Sequence, residues 1–211
     1  MRLGLLSILA CPICKYYPLK LNIFKWETDE EKFKQVEDTI TEKKIEQLKN
    51  ETIIKIIKNE KELRIKDNIV RSEKNFNDYI EELKKINDDI LAIRDDSKTI
   101  SKKILKIIID ELFSKIPEYK KDEITKNQIE IFEEIKYYIY LLNWYLFYPE
   151  IEEGIMFCNK CNRWFPITET IPQMLPDEVR REKPEKDFLK KWKDLIEDKI
   201  IIEGKPFNLK E

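Results

Sequence analysis

The residues best able to do chemistry in this 211-residue chain are its four cysteines, and they come as two matched pairs. Cys11 and Cys14 lie in CPIC near the start, and Cys158 and Cys161 lie in CNKC. A two-residue spacing lets one tight turn aim both sulfurs at a single point, and turn amides after the first cysteine can donate to them. Two such pairs are the usual supply of four thiolates for tetrahedral zinc, with Zn–S bonds of ~2.3 Å. One pair fills half a shell, so the expected site takes all four cysteines around one structural zinc ion and ties the two ends of the chain together. Residues 15–157 intervene. Closing a loop of that length rather than one of ~20 residues costs about 1.7 kcal/mol extra. A structural zinc site contributes roughly 10–16 kcal/mol, so the metal outweighs the loop. Redox, disulfide and iron–sulfur roles are the competing readings. A redox pair needs a βαβ setting, which is not seen here. Four cysteines are sparse for a disulfide scaffold. A catalytic zinc keeps an open position, which four thiolates close.

The remaining composition removes most catalytic options. There is no histidine, so histidine triads and mixed Cys/His sites are excluded. Gly4, Gly154 and Gly204 are the only glycines, too few for a glycine-rich phosphate loop or dinucleotide turn. Lys plus Arg (40) nearly balance Asp plus Glu (42), giving a net charge of −2. That balance argues against phosphate binding as the main activity, since such binding rests on clustered positive charge. The most apolar stretch, IKYYIYLLNWYLFYP (135–149), carries Lys136 and Asn143. It falls short of the ~20 apolar residues of a membrane span. A buried helix is the reading, with no membrane role and a cytoplasmic location expected.

Three regions must position the cysteines. Residues 1–26 hold the first pair and then PLKLNIFKW, where Leu19, Leu21 and Ile23 alternate with polar neighbours as in a half-buried strand. Residues 154–175 hold the second pair between short apolar runs. Both read as strand–knuckle–strand units. Residues 27–150 lack glycine, and the period shifts toward 3.6. Phe76, Tyr79, Ile80, Leu83, Ile86, Ile90 and Ile93 follow helical steps. Helices are predicted near 29–59, 72–95, 98–115 and 121–147, with Thr28 or Asp29 as the first N-cap and 62–70 ambiguous between helix end and strand. A helix near 185–198 and a strand-like KIIIEGKPFNL close the chain. The expected fold is α+β. A small four-cysteine zinc-ribbon β unit (1–26 and 151–211, with a C-terminal helix and tail) is interrupted by a large all-helical insertion, 27–150.

LLSILACPICKYYPLKL and EGIMFCNKCNRWFPITETIPQMLPDEVR resemble one family in particular. They are similar to the small zinc-binding activator subunits shared by several S-adenosylmethionine-dependent methyltransferases. The shared features are a Leu-Leu-x-Ile-Leu lead into Cys-Pro-x-Cys, then Cys-x-x-Cys, an aromatic-Pro-Ile run, and Ile-Pro-x-Met-Leu-Pro. The likeness covers residues 3–26 and 154–178. It implies a non-catalytic subunit that binds several Rossmann-like methyltransferases in turn. Such a subunit covers an apolar patch by adding a strand beside the partner's sheet, keeping the partner soluble and active. The implied partners modify tRNA, ribosomal RNA or a translation termination factor, so RNA is met only through them. Two departures stand out: Lys15 and Asn162 replace the glycine that often follows a knuckle, and the insertion is unusually long.

The residues themselves agree with a docking role. Leu5, Leu6, Ile8, Leu9, Phe165, Ile167, Ile171, Pro172, Met174 and Leu175 form the candidate partner interface. A ribbon of this size cannot bury all of them, and exposed edges invite partner strands. The tyrosines and tryptophan of 137–148 read as helix core. A nucleic-acid-binding zinc ribbon of the transcription or translation machinery is the alternative. It would use Lys15, Lys20, Lys160 and Arg163 with Tyr16, Tyr17 and Trp164, and RREK (180–183) or KKWK (190–193) could touch RNA held by a partner.

Overall fold

The computed structural model describes residues 1–58 and 62–210, with the backbone course alone for 121–126. Along the chain come β1 (Lys20–Trp26), α1 (Glu30–Glu42), α2 (Ile45–Lys49), β2 (Lys55–Lys58) and β3 (Leu63–Lys66). β4 (Lys74–Asn75), α3 (Phe76–Lys85), α4 (Asn87–Leu91), β5 (Ile93–Asp95), α5 (Ser101–Ile108) and α6 (Lys121–Phe147) follow. β6 (Ile151–Phe157), β7 (Trp164–Thr168), β8 (Ile171–Pro172), α7 (Glu182–Lys191) and α8 (Asp198–Glu203) complete it. The result is α+β, with a largely helical insertion between the strands of the cysteine-bearing sheet. Two compact units emerge: Met1–Thr28 with Leu91–Thr99 and Glu150–Glu211, and Asp29–Ile90 with Ile100–Pro149.

The first unit is built on a five-stranded sheet in the order β5-β1-β6-β7-β8. Every neighbouring pair is antiparallel except β1 and β5. As the alternation predicts, Leu21 and Ile23 are buried on β1 and Leu19 is buried just before it. Their alternates meet α7 and α8: Phe24, Ile155, Phe157 and Trp164 pack with Phe188, Leu189, Ile196, Ile200 and Ile201. Phe24 stacks on Trp192 at 4.9 Å. Gly154 has a packing reason on β6, since a Cβ there would come within 2.7 Å of the Asn22 carbonyl across the ladder. The first knuckle is not flanked by two strands: its lead, Leu3–Ile8, is a 3-10 helix.

Residues 91–99 depart from the expected insertion. The predicted helix 72–95 ends in α4, and Ile93–Asp95 turn back as β5 to pair in parallel with Leu21–Ile23. Trp26 Nε1 donates to Asp95 Oδ2 at 3.1 Å, and the Ser97 amide donates to Asp95 Oδ1 at 3.0 Å. The helical spacing of the apolar residues gave the burial of Ile90 and Ile93 but not the change of backbone, which is set by β1.

The second unit gathers around α6. Ile135, Tyr137, Tyr138, Ile139, Tyr140, Leu141, Leu142, Trp144 and Tyr145 are all buried, as expected for a core helix. No helix among the described residues is long and apolar enough to cross a membrane. α2, α3 and α5 pack on α6, and Phe33 meets Trp144 edge-on at 5.8 Å. The predicted helix 29–59 is corrected. α1 stops because Lys43 enters the left-handed region at φ 48°, where its amide and that of Lys44 close the turn onto Ile40 and Thr39; residue 59 lies outside the described residues. Asp29 occupies the N-cap position, while Thr28 Oγ1 instead accepts the Glu150 amide at 2.9 Å. The insertion is also not all helical, because β2, β3 and β4 form an antiparallel sheet. LRIK alternates apolar and basic residues, with Leu63 and Ile65 buried, as suits a half-buried strand, and KIIK sets two β-branched isoleucines between lysines. At the C-terminus, Lys199–Ile202 lie in α8 rather than in a strand, where Ile200 and Ile201 join the apolar cluster under the sheet.

Candidate metal centre

Each cysteine pair sits on a turn of the same construction. In the first, the Lys15 amide donates to the Cys11 carbonyl at 2.9 Å and the Cys11 amide to Tyr16 at 2.9 Å. In the second, the Asn162 amide donates to the Cys158 carbonyl at 2.9 Å and the Cys158 amide to Arg163 at 2.8 Å. Both turns close through a left-handed residue, Lys15 at φ 58° and Asn162 at φ 57°. These are the positions where glycine is common and here absent. Asparagine tolerates that region; lysine carries a Cβ strain there. Lys15→Gly should therefore stabilise the first unit by about 0.5–1 kcal/mol, the Cβ strain outweighing glycine's entropy. Urea unfolding of the metal-loaded protein measures this, and a destabilised variant would mean that the first turn is not held as described.

The turns bring all four sulfurs together. Cys11 Sγ lies 3.6 Å from Cys161 Sγ and Cys14 Sγ lies 3.5 Å from Cys158 Sγ, and all four fall within 4.8 Å of one another. Bonded disulfide sulfurs sit at ~2.05 Å, so these are free thiols. A regular tetrahedron with ~2.3 Å metal–sulfur bonds has edges of ~3.8 Å. The four sulfurs therefore fit one metal ion in the geometry the spacing predicts. Cys11 and Cys158 are fully buried, whereas Cys14 and Cys161 are partly open. Burial pushes the Cys11 thiol up and the Cys158 thiol to about 12. At Cys14 burial acts the same way, but the Tyr16 amide and the neighbouring sulfurs outweigh it and bring the thiol down to about 7. A metal binding here displaces the remaining protons.

The knuckles also differ after the left-handed residue. Where the first has Tyr16, the second has Arg163, whose charged form is favoured by Asp177 and then by the nearby Cys161 sulfur. It also forks onto Asp177, with Nε to Oδ2 at 3.0 Å and Nη2 to Oδ2 at 2.8 Å. Arg180 lies close by in the chain, its side chain fully buried. It stands over the rings of Trp164 at 4.8 Å and Phe165 at 5.4 Å and pairs with Glu185 at 2.7 Å. Sequence reasoning missed both pairings. Opposite charges in NRW and PDEVR were the visible signal, but nothing in a single sequence pairs them.

The candidate interface residues divide by burial. Leu5, Ile8, Ile171 and Leu175 are exposed, and Leu9, Pro172 and Met174 are half-buried. Leu6, Phe165 and Ile167 are buried and cannot meet a partner directly. Their outward-facing role is corrected: β7 spends its apolar side chains on the unit's own core. The strand that carries the exposed edge is short, since β8 spans only Ile171–Pro172. Glu169 and Thr170 make the turn into it, both at positive φ. The basic candidates for nucleic acid are largely engaged. Trp164 is buried, Arg163 and Arg180 are paired with carboxylates, and Lys191 and Trp192 share Glu153.

An α+β chain whose sheet is interrupted by a helical insertion, with two knuckles converging on one four-thiolate cluster, defines the class: an α+β protein with one candidate metal centre. A family model described as Trm112p-like protein matches residues 2–169, and the chain belongs to that family. The general role that membership carries is that of a non-catalytic activating partner of methyltransferases. Comparisons with curated proteins and with solved structures give no match.

Proposed function

We propose that this chain holds one structural zinc ion on Cys11, Cys14, Cys158 and Cys161. It binds, solubilises and activates Rossmann-like methyltransferases acting on tRNA, ribosomal RNA or a translation termination factor. The partner docks along β8 and the segment after it, with the 3-10 lead as a second contact. The cytoplasm is its place of action, and RNA is reached through the partner.

The observation that carries the docking reading is the run of exposed apolar side chains beside the four-cysteine site. Ile171 is 58% exposed, Leu175 42% and Val179 57%, with Leu5 and Ile8 also open. A short edge strand bearing Pro172 is typical of an edge protected against promiscuous pairing. Its outer side still offers carbonyls and apolar side chains to a partner strand.

The test is a tagged pull-down from native extract with mass spectrometry, comparing wild type with Ile171→Glu and Leu175→Glu. Burying one such side chain is worth about 1.5–3 kcal/mol, so each substitution should weaken capture of methyltransferases by about tenfold or more. Metal content should stay at one per chain. Unchanged capture by both variants would remove this edge as the docking site. Recovery of polymerase or ribosome components in place of methyltransferases would favour the nucleic-acid reading.

A further inference from the structure

The segment from Gln173 to Arg180 leads from β8 to α7 and carries Met174, Leu175 and Val179. Its backbone has little to hold its shape. The Met174, Val179 and Arg180 amides bond only to Pro172, Pro176 and Asp177, two or three residues back. Only the Gln173 amide reaches another strand, at the Pro166 carbonyl, 2.8 Å away. What fixes the rest is side-chain chemistry at Asp177 and Arg180. Arg180 is anchored in the unit's own core, over Trp164 and Phe165. Asp177 is anchored to the metal knuckle itself, through Arg163.

We infer that Arg163 is a positioning residue: it couples the four-thiolate site to the exposed apolar segment Gln173–Val179, so the segment keeps its shape only while the knuckle is set. One residue meets both groups: its carbonyl accepts the Cys158 amide at 2.8 Å and closes the knuckle, and its guanidinium forks Asp177. The fork is mostly shielded, with side-chain exposures of 20% and 26%. That shielding makes the pairing count for more than a surface bridge, and its loss leaves a desolvated charge unpaired. A cation two residues after Cys161 also offsets the net negative charge of a thiolate site. The first knuckle has no such link: Tyr16 stands at the matching position, its carbonyl accepts the Cys11 amide, and its side chain carries no charge to pair with a carboxylate. The functional meaning of this link rests on the docking reading above, since the segment it holds is the proposed docking surface.

The experiment uses the full chain loaded with zinc and follows amide hydrogen exchange by mass spectrometry. Asp177→Ala should raise exchange over Gln173–Arg180 by about tenfold, the loss expected for charged hydrogen bonds. Exchange in β1 and β6 and a metal content of one per chain should not change. Arg163→Gln should loosen the same segment. Removing the metal from the wild-type chain should loosen the segment as well, and in Arg163→Gln its removal should add little, because the link is already cut. Wild-type exchange over Gln173–Arg180 in metal-loaded Asp177→Ala overturns the inference, as does a segment that metal removal leaves unchanged in the wild type. Both readouts use the isolated protein, so they succeed or fail independently of whether a methyltransferase docks at Ile171.

Discussion

Cys158→Ser should lower metal affinity more than about 100-fold and release the N-terminal knuckle. A four-thiolate site contributes roughly 10–16 kcal/mol, and one ligand's share is about a quarter of that. Cys158 has no exposed surface, so the serine hydroxyl would occupy a buried place with three sulfurs and little water. The two knuckles respond differently. The second sits on the β6–β7 hairpin, whose ladder runs from Gly154–Ile167 to Phe157–Trp164 and persists without metal. In the first, the Leu9, Cys11 and Lys15 amides bond only within the segment, to Leu6, Tyr16 and Cys11. The metal is then its main anchor. Elemental analysis after dialysis against a weak chelator measures the affinity loss, and amide exchange locates it. Metal retained at one per chain, with residues 9–18 still protected, would mean that the four sulfurs do not act as one site.

The second large effect belongs to the helical unit. Asp67 is buried and its carboxylate accepts four hydrogen bonds. Oδ1 takes the amides of Ile69 at 2.9 Å and Val70 at 2.6 Å, and Oδ2 takes Tyr79 Oη at 2.6 Å and Asn143 Nδ2 at 2.8 Å. The residue thereby joins the turn after β3 to α3 and α6. Burial, then the Asp67 charge, keep the Tyr79 hydroxyl protonated, its pKa well above the ordinary tyrosine value, so it remains a donor. Asp67→Ala leaves a buried hydroxyl and a buried amide without their acceptor, which should cost about 3–5 kcal/mol. Against a total stability of roughly 5–15 kcal/mol, that is enough to lower the melting temperature by ten degrees or more. Asp67→Asn keeps the shape and should cost less. Thermal unfolding of the metal-loaded chain reads both, and a loss below 1 kcal/mol for Asp67→Ala would show that the network contributes little.

Much of the site was legible because its signals are local. A two-residue cysteine spacing suits a tight turn that aims both sulfurs at one point, and both turns adopt the same hydrogen bonds despite Lys15 and Asn162. The alternation in KLNIFKW gave β1, and the largely apolar run before Pro149 gave the end of α6 at Phe147. Pro117 ends the α5 region in a 3-10 turn, as its missing amide requires. Misread elements share a different cause. α1 stops at Lys43 without glycine or proline, β5 is a strand because β1 offers it a ladder, and α8 is a helix because Ile200 and Ile201 have a core to fill. In each case the residues permit two backbones, and a distant partner chooses between them.

The amino-acid order alone pointed to the candidate ligand set and the interrupted architecture, because cysteine spacing and hydrophobic period act over a few residues, and its Ile-Pro-x-Met-Leu-Pro ending carried the resemblance to the family. Tertiary structure decided which apolar residues remain outside. Leu6, Phe165 and Ile167 differ little in type from Leu5, Ile171 and Leu175, yet the first three are buried and the others exposed. It also decided that Arg163 reaches Asp177 instead of solvent. Burial and ion pairing are properties of neighbours in space, and a linear chain specifies those neighbours only after it has folded.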